Sequence, residues 1–309
     1  MRSRLSSPTA EAAKGGEMIG KDAHFLHEQR ALEAVLVAPV DVPRAMSWVG
    51  TKELLLVATA EGVIAAVEPA FGTRRLFTAV VEPVHISTFG GDVLVFARDG
   101  TLQRWSLASN ERIWSFQTGL VGNQGVRVSP TEIACIGEDA AAHREVVVID
   151  LEGSERERLP VPPRTALGVG DDANFLLARS TEAGLRIVPL GQSLGDETPS
   201  TAHSLRFSPA GGVVGVASGG VVVWPSAGGS PRSVRLPDAV NAALHADGRT
   251  LALGTRDGNV AIADIESPAA SRSKPAKVHA HEGPVRMLSF ARKGRWLASI
   301  GDRCRVWAY

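Results

Sequence analysis

The sequence is poor in several things that enzymes and secreted proteins commonly depend on. Of its 309 residues only two are cysteine and one is tyrosine, and aromatics make up 5%. Two cysteines cannot build a disulfide framework, nor by themselves a four-ligand zinc site. Cys135 and Cys304 each sit inside an apolar strand-like run, IACIG and DRCRVW. They read as buried, reduced thiols in a reducing compartment. No run of about 18 apolar residues occurs, so no transmembrane helix is expected. The opening segment MRSRLSSPTAEAAKGGEMIGKD has two early arginines but no apolar stretch behind them, and so lacks the form of a secretory signal. The expected location is cytoplasmic. Charge of either sign is not in excess: 33 basic residues balance 33 acidic ones. Without a global field to draw the chain to them, neither nucleic acid nor membrane is expected as a partner. Lysine is scarce, six residues against 27 arginines. That bias reads as a GC-rich coding signature and points to a bacterial source.

The usual catalytic signatures are missing as well. The glycines of GDDANF (170–175) and SPAGGVVGVASGG (208–220) do not open helices, as a phosphate cradle requires. There is no G-x-S-x-G nucleophile elbow. The pair Asp171 and Asp172 falls in a turn. No catalytic residue, cofactor or metal is assigned, and the chain is expected not to be an enzyme. Helical periodicity is nearly absent too. Its one candidate, DAHFLHEQRALEAVLVAPV (22–40), turns into a β-run at Val35, and whether 23–30 are helical stays open.

What the chain does contain is a repeat. Short Val/Leu/Ile runs, punctuated by Gly, Asp, Asn or Pro, end in equivalent positions at Val67, Trp105, Ile149, Val188, Trp224, Ala263 and Trp307, at intervals of 38, 44, 39, 36, 39 and 44 residues. An earlier landmark in each unit is fullest in VRMLSFARKGRWLASIGD (285–302), and SLRFSPAGGVVGVASGG (204–220) and NAALHADGRTLALGTRDG (241–258) follow the same plan. Each unit reads as strand, turn, strand, tight turn, strand. Asp99-Gly100 and Asp257-Gly258 supply the hairpin chemistry of the tight turn. A fourth strand follows in most units, as at 112–117 and 233–236. Four strands per unit of about 40 residues, seven times over, define an all-β, seven-bladed β-propeller of four-stranded antiparallel blades. The expected layout is a flexible tail over 1–22 and one propeller domain over 23–309. Its blades span approximately 40–78, 79–118, 119–160, 161–197, 198–235, 236–278 and 279–309. The last unit lacks an outer strand, and the run ALEAVLVAP (31–39) has no blade of its own. We expect this N-terminal strand to complete the last blade and close the ring.

At this point the chain resembles the WD-repeat family, over about residues 30–309. The likeness is strongest in the last unit, through His281, Val285, Leu288-Ser289-Phe290, Leu297-Ala298-Ser299, Asp302 and Trp307. The family's Gly-His and Trp-Asp dipeptides are missing, so the resemblance is to a diverged member. It implies that the family's His–Ser–Asp–Trp hydrogen-bond set forms in the last blade, from His281, Ser299, Asp302 and Trp307. Trp105 and Trp224 take the structural tryptophan position in their own blades.

The histidines bear on chemistry. His279 and His281 are spaced to share one face of a strand, a spacing able to ligate a metal. His281, however, holds a structural position in the resembled family, and no third ligand stands nearby, so no metal is expected. His85, His203 and His245 fall on first strands of three units and are candidates for a ring in the channel, local hydrogen bonding being the favoured reading. The tight turns gather Glu61, Arg98, Asp99, Arg256, Asp257, Glu282, Asp302 and Arg303 on one rim. The resemblance implies that partners bind there, and arginine forks suit carboxylate or phosphate groups. The expected function is therefore a non-catalytic scaffold or adaptor, monomeric on its own, that binds protein partners through the rim. The alternative is a channel-centred enzyme or a small-ligand or metal binder, like lactonase-type or quinoprotein propellers.

Overall fold

The computed structural model describes residues 33–309 apart from 39, 51–52, 81, 183, 196–201, 203, 209–210, 226–229, 267–274 and 293–295. The expectations for the tail at 1–22 and for 23–30 lie outside these residues. Among the described residues there is no helix, and every regular element is a strand.

The strands form seven antiparallel sheets in sequence order. Blade 1 runs Pro43–Trp48, Leu55–Thr59, Val63–Glu68 and Gly72–Thr78. Blade 2 runs Pro83–Phe89, Asp92–Ala97, Thr101–Ser106 and Arg112–Gln117. Blade 3 runs Gly122–Val128, Glu132–Glu138, Arg144–Asp150 and Glu155–Pro160. Blade 4 has three described strands, Ala166–Val169, Phe175–Thr181 and Gly184–Pro189. Blade 5 runs Ser204–Phe207, Val213–Ala217, Gly220–Trp224 and Arg232–Arg235, and blade 6 runs Ala239–Leu244, Thr250–Thr255, Asn259–Asp264 and Lys277–His279. Blade 7 has Met287–Phe290, Trp296–Ile300 and Cys304–Ala308 from the C-terminal end. Its outer strand is Glu33–Ala38. That strand lies antiparallel to the chain's last one, with Glu33 opposite Ala308 and Ala38 opposite Cys304. The closure expected from 31–39 is thus present. Neighbouring blades touch through their inner strands all the way round, and those of blade 7 return to blade 1. The molecule is a closed seven-bladed β-propeller.

The hydrophobic interior is divided among the blade junctions. Successive side chains of a strand point to opposite faces of its sheet, so each blade feeds two cores. In blade 1, Leu55, Val57, Ala65 and Val67 pack with Ala298, Ile300, Cys304 and Val306 of blade 7. Their sequence neighbours Leu56, Ala58, Ile64 and Ala66 pack with Ile86, Val93 and Val95 of blade 2. The pattern repeats round the ring, one cluster to each junction. This explains why the second and third strands read as continuous apolar runs rather than alternating ones. It also explains the scarcity of aromatics, because two sheets with small and β-branched faces approach closely. Outer strands are polar by contrast: Glu155–Pro160, ERERLP, is almost wholly exposed. Charge on that edge discourages pairing with a second chain.

Candidate functional site

The last blade carries a buried hydrogen-bond chain. Trp307 Nε1 donates to Ser299 Oγ at 2.9 Å, and Ser299 Oγ lies 2.8 Å from His281 Nε2. His281 Nδ1 reaches Asp302 Oδ1 at 3.0 Å. One assignment satisfies every group: the serine hydroxyl donates to Nε2, and Nδ1–H donates to the carboxylate. Burial lowers the His281 pKa against the opposing effect of Asp302, so the ring is neutral. Burial works to raise the Asp302 carboxyl, but hydrogen bonds from His281 and Arg303 outweigh it and hold it below its usual range. The His281 ring packs so closely on Gly301 that a Cβ there would sit 2.5 Å from it. His279 is exposed at the end of its strand and is not brought together with His281. Trp105 makes a different arrangement, donating to Gln103 Oε1 at 3.0 Å and stacking on Phe77 with ring centroids 4.5 Å apart. Trp224 packs into the junction between blades 4 and 5 beside Gly215.

The tight turns between second and third strands lie beside the segments that enter the first strands, and so share one rim. The backbone amides of Ala60, Arg98 and Arg256 donate to Val42, Glu82 and Asp238 at those entries. Glu61, Arg98, Asp99, Arg256, Asp257, Glu282 and Arg303 are exposed there, and Asp302 is half-buried. Arg98 pairs with Glu82 at 3.7 Å and Arg303 with Asp302 at 3.0 Å. Asp99 accepts from the Thr101 amide at 2.9 Å, and Asp257 bonds the Thr255 hydroxyl.

Three of these turns are locked by the same device. Gly62, Gly100 and Gly258 have φ of 82°, 88° and 82°. Their carbonyls accept from the amides of Ala79, Thr118 and Ala280 in the segments that leave each blade. A Cβ would lie 2.5 Å from Val80 O, 2.7 Å from Leu120 O and 1.8 Å from His281 O respectively. Glycine is needed twice over, for the backbone conformation and for the contact.

The channel differs from the sequence expectation. His85 lines it from the first strand of blade 2, but His245 lies one residue past its strand. His245 turns to Asp247 at 3.1 Å and meets Phe290 and Tyr309 edge-on. His203 lies outside the described residues. Among the described residues no group of three His, Cys, Asp or Glu is placed to hold a metal. Instead His85 is joined by Arg127 of blade 3 and Arg206 of blade 5 around a cavity of about 630 Å³. Each keeps a little surface to the lumen while protein encloses it. Burial, then the nearby Arg127 and Arg206 charges, pull the His85 pKa down to about 3. Burial and the Arg206 charge bring Arg127 to about 10. Sequence reasoning passed over both arginines. Their signal is a shared position, since each stands two residues before a Ser-Pro pair, in RVSP (127–130) and RFSP (206–209).

The architecture and its last-blade hydrogen-bond chain define a β-propeller of the repeat-built kind. A family model described as outer membrane protein assembly factor BamB matches residues 38–187, just under half of the chain. Among curated proteins none matches the sequence. Among solved structures, the chain resembles the computationally designed Ika8 protein with a TM-score of 0.64 and 16% identity, over 90% of this chain and 100% of that one. It also resembles the β-propeller domain of Cps50 (Swd1) from Myceliophteria thermophila, with a TM-score of 0.66 and 12% identity, over 90% and 99% of the two chains. At these identities the likeness concerns the fold.

Proposed function

We propose that the protein is a non-catalytic adaptor of a multiprotein assembly, a diverged WD-repeat propeller that holds protein partners on the rim of its tight turns. The observation that supports this reading is the locked rim. Glu61, Arg98, Asp99, Arg256 and Asp257 stand on turns whose glycines are clamped under the next backbone segment. Loops held in place before binding lose little ordering entropy when a partner arrives. Both signs of charge are present, which suits register and partner discrimination. The description of the matching family model, an assembly factor, is of the same kind. In this reading the protein works as a monomer in the cytoplasm, with protein partners and no nucleic acid or membrane contact.

The test is affinity capture from the source organism, read by mass spectrometry, with the wild type and the triple variant Arg98→Glu, Arg256→Glu, Arg303→Glu. The triple variant is expected to lose the specifically captured partner. Arg249→Glu, on the opposite rim where Arg249 pairs with Asp264, is expected to retain it. Equal capture by the triple variant would move the binding surface off this rim.

A further inference from the structure

Among the described residues, the channel holds positive charge without an answering negative one. The Arg206 side chain has no hydrogen bond or ion pair to any described residue, and burial is what lowers its pKa. Among the described residues the Arg127 side chain makes one hydrogen bond, from Nη1 to the carbonyl of its neighbour Val126 at 2.8 Å. His85 of blade 2 stands near that carbonyl, whose influence only partly offsets the fall in the histidine's pKa. Among the described residues neither arginine has a carboxylate partner, although the sequence holds equal numbers of acids and bases. Among the described residues lining this cavity there is no Asp or Glu, while Ser47 and Ser87 add hydroxyl donors. Arg206 also lines a second cavity of about 670 Å³, which opens toward the rim of tight turns beside Arg98, Arg144 and Arg164. Among the described residues the one carboxylate in that mouth, Glu138, lies 3.7 Å from Arg144. A channel lined by one sign of charge within low-dielectric walls focuses its field and draws in ions of the other sign.

Buried charges in folded proteins are paired, or are met by a ligand. Here two guanidinium forks repel each other across a lumen large enough for a small molecule. The fork geometry of arginine fits the paired oxygens of phosphate and carboxylate. We propose that the channel between Arg127 and Arg206 binds a small oxyanion, a phosphate ester or a carboxylate, with His85 and the serine hydroxyls as neutral donors beside it. The bound anion neutralises the repulsion between the arginines, which makes the site a ligand-dependent brace at the hub of the ring. The site is separate from the rim surface assigned to protein partners and stands or falls independently of it.

The experiment is isothermal titration calorimetry of the full chain in chloride buffer near neutral pH, with pyrophosphate as one probe and citrate as the other. The wild type is expected to bind at least one of them at a single site, and which probe binds separates phosphate from carboxylate recognition. Arg127→Gln and Arg206→Gln are each expected to weaken that binding about tenfold or more, with Arg249→Gln unchanged. A second readout guards against variants that simply fold poorly. Without anion, Arg206→Met should melt no lower than the wild type, because it removes a buried charge that lacks a partner. With millimolar probe, only the wild type should rise. Failure of both probes to bind the wild type, or wild-type affinity in both glutamine variants, overturns the proposal.

Discussion

His281 shows how much a single side chain does in this fold. It is buried, spends both ring nitrogens on partners, and ties the segment entering blade 7 to that blade's second strand. His281→Ala would leave the buried Ser299 hydroxyl without its acceptor and Asp302 without its ring donor, and buried polar groups left without a partner are costly. We expect a loss of about 3 kcal/mol in denaturant unfolding; a loss within error of zero would show the chain of bonds to be incidental. The pH dependence follows from the same residue. The folded-state pKa lies below the ordinary histidine value of 6.5. As pH falls below that value, the unfolded chain takes up a proton that the folded one refuses, so stability present above it is progressively lost in acid. Asp302, held below 3.8, extends the loss in the same direction at lower pH. His281→Gln should flatten the upper part of that fall. These four residues were legible because the last unit carries all four letters together, although Asp302 stands five residues before Trp307 where Asp99 stands six before Trp105. Arg127 and Arg206 were not, since their meeting depends on where the ring places two distant strands. The histidines drew attention in the channel, yet His245 had a nearer partner in Asp247.

At the scale of strands and turns, the repeat positions from Val67 to Trp307 all fall within third strands. Apolar runs bounded by turn residues carry that information locally. The glycine clamps were only half legible: Asp-Gly signals a hairpin, but nothing in the dipeptide shows that another backbone segment lies over it. Two glycines separate the effects. Gly258→Ala meets both a positive φ and the carbonyl of His281, and should cost about 3 kcal/mol. Gly72→Ala has a positive φ of 93° but open space around it, and should cost about 1 kcal/mol. Equal losses, measured by chemical unfolding, would refute the clamp. The junctions also differ in strength. Between blades 4 and 5 the buried apolar cluster among the described residues is Ala166, Ala178 and Val213, with Phe207 and Trp224 partly buried against it. Phe207 fits only because residue 168 is glycine, where a Cβ would lie 2.3 Å from its ring. Local opening follows low apolar contact, so hydrogen exchange should reach 175–181 and 213–217 before the equivalent strands of blades 6 and 7. Uniform protection round the ring would contradict this ranking. The repeat is loose in the fourth unit, TALGVGDDANFLLARSTEAG (165–184), which forms one side of this junction.

For the molecule as a whole, function in this account depends on a ring that is complete before any partner binds. Seven junction cores hold neighbours together, and side-chain hydrogen bonds cross them. Arg104 and Trp114 of blade 2 both donate to Leu151 O beside blade 3, at 2.6 and 2.8 Å, and Trp48 of blade 1 donates to Ser289 O of blade 7 at 3.0 Å. The last of these spans the seam where the two ends of the chain meet. Closure there rests on Glu33–Ala38 lying along Cys304–Ala308, a pairing that the missing outer strand of the last unit made readable. The most direct test is a truncation that removes residues 1–40, followed by size-exclusion chromatography and thermal unfolding. The account predicts aggregation or loss of the cooperative transition, because the edge of blade 7 and its junction with blade 1 are laid open. A truncated protein that remains a monomer and melts as the full chain does would contradict it.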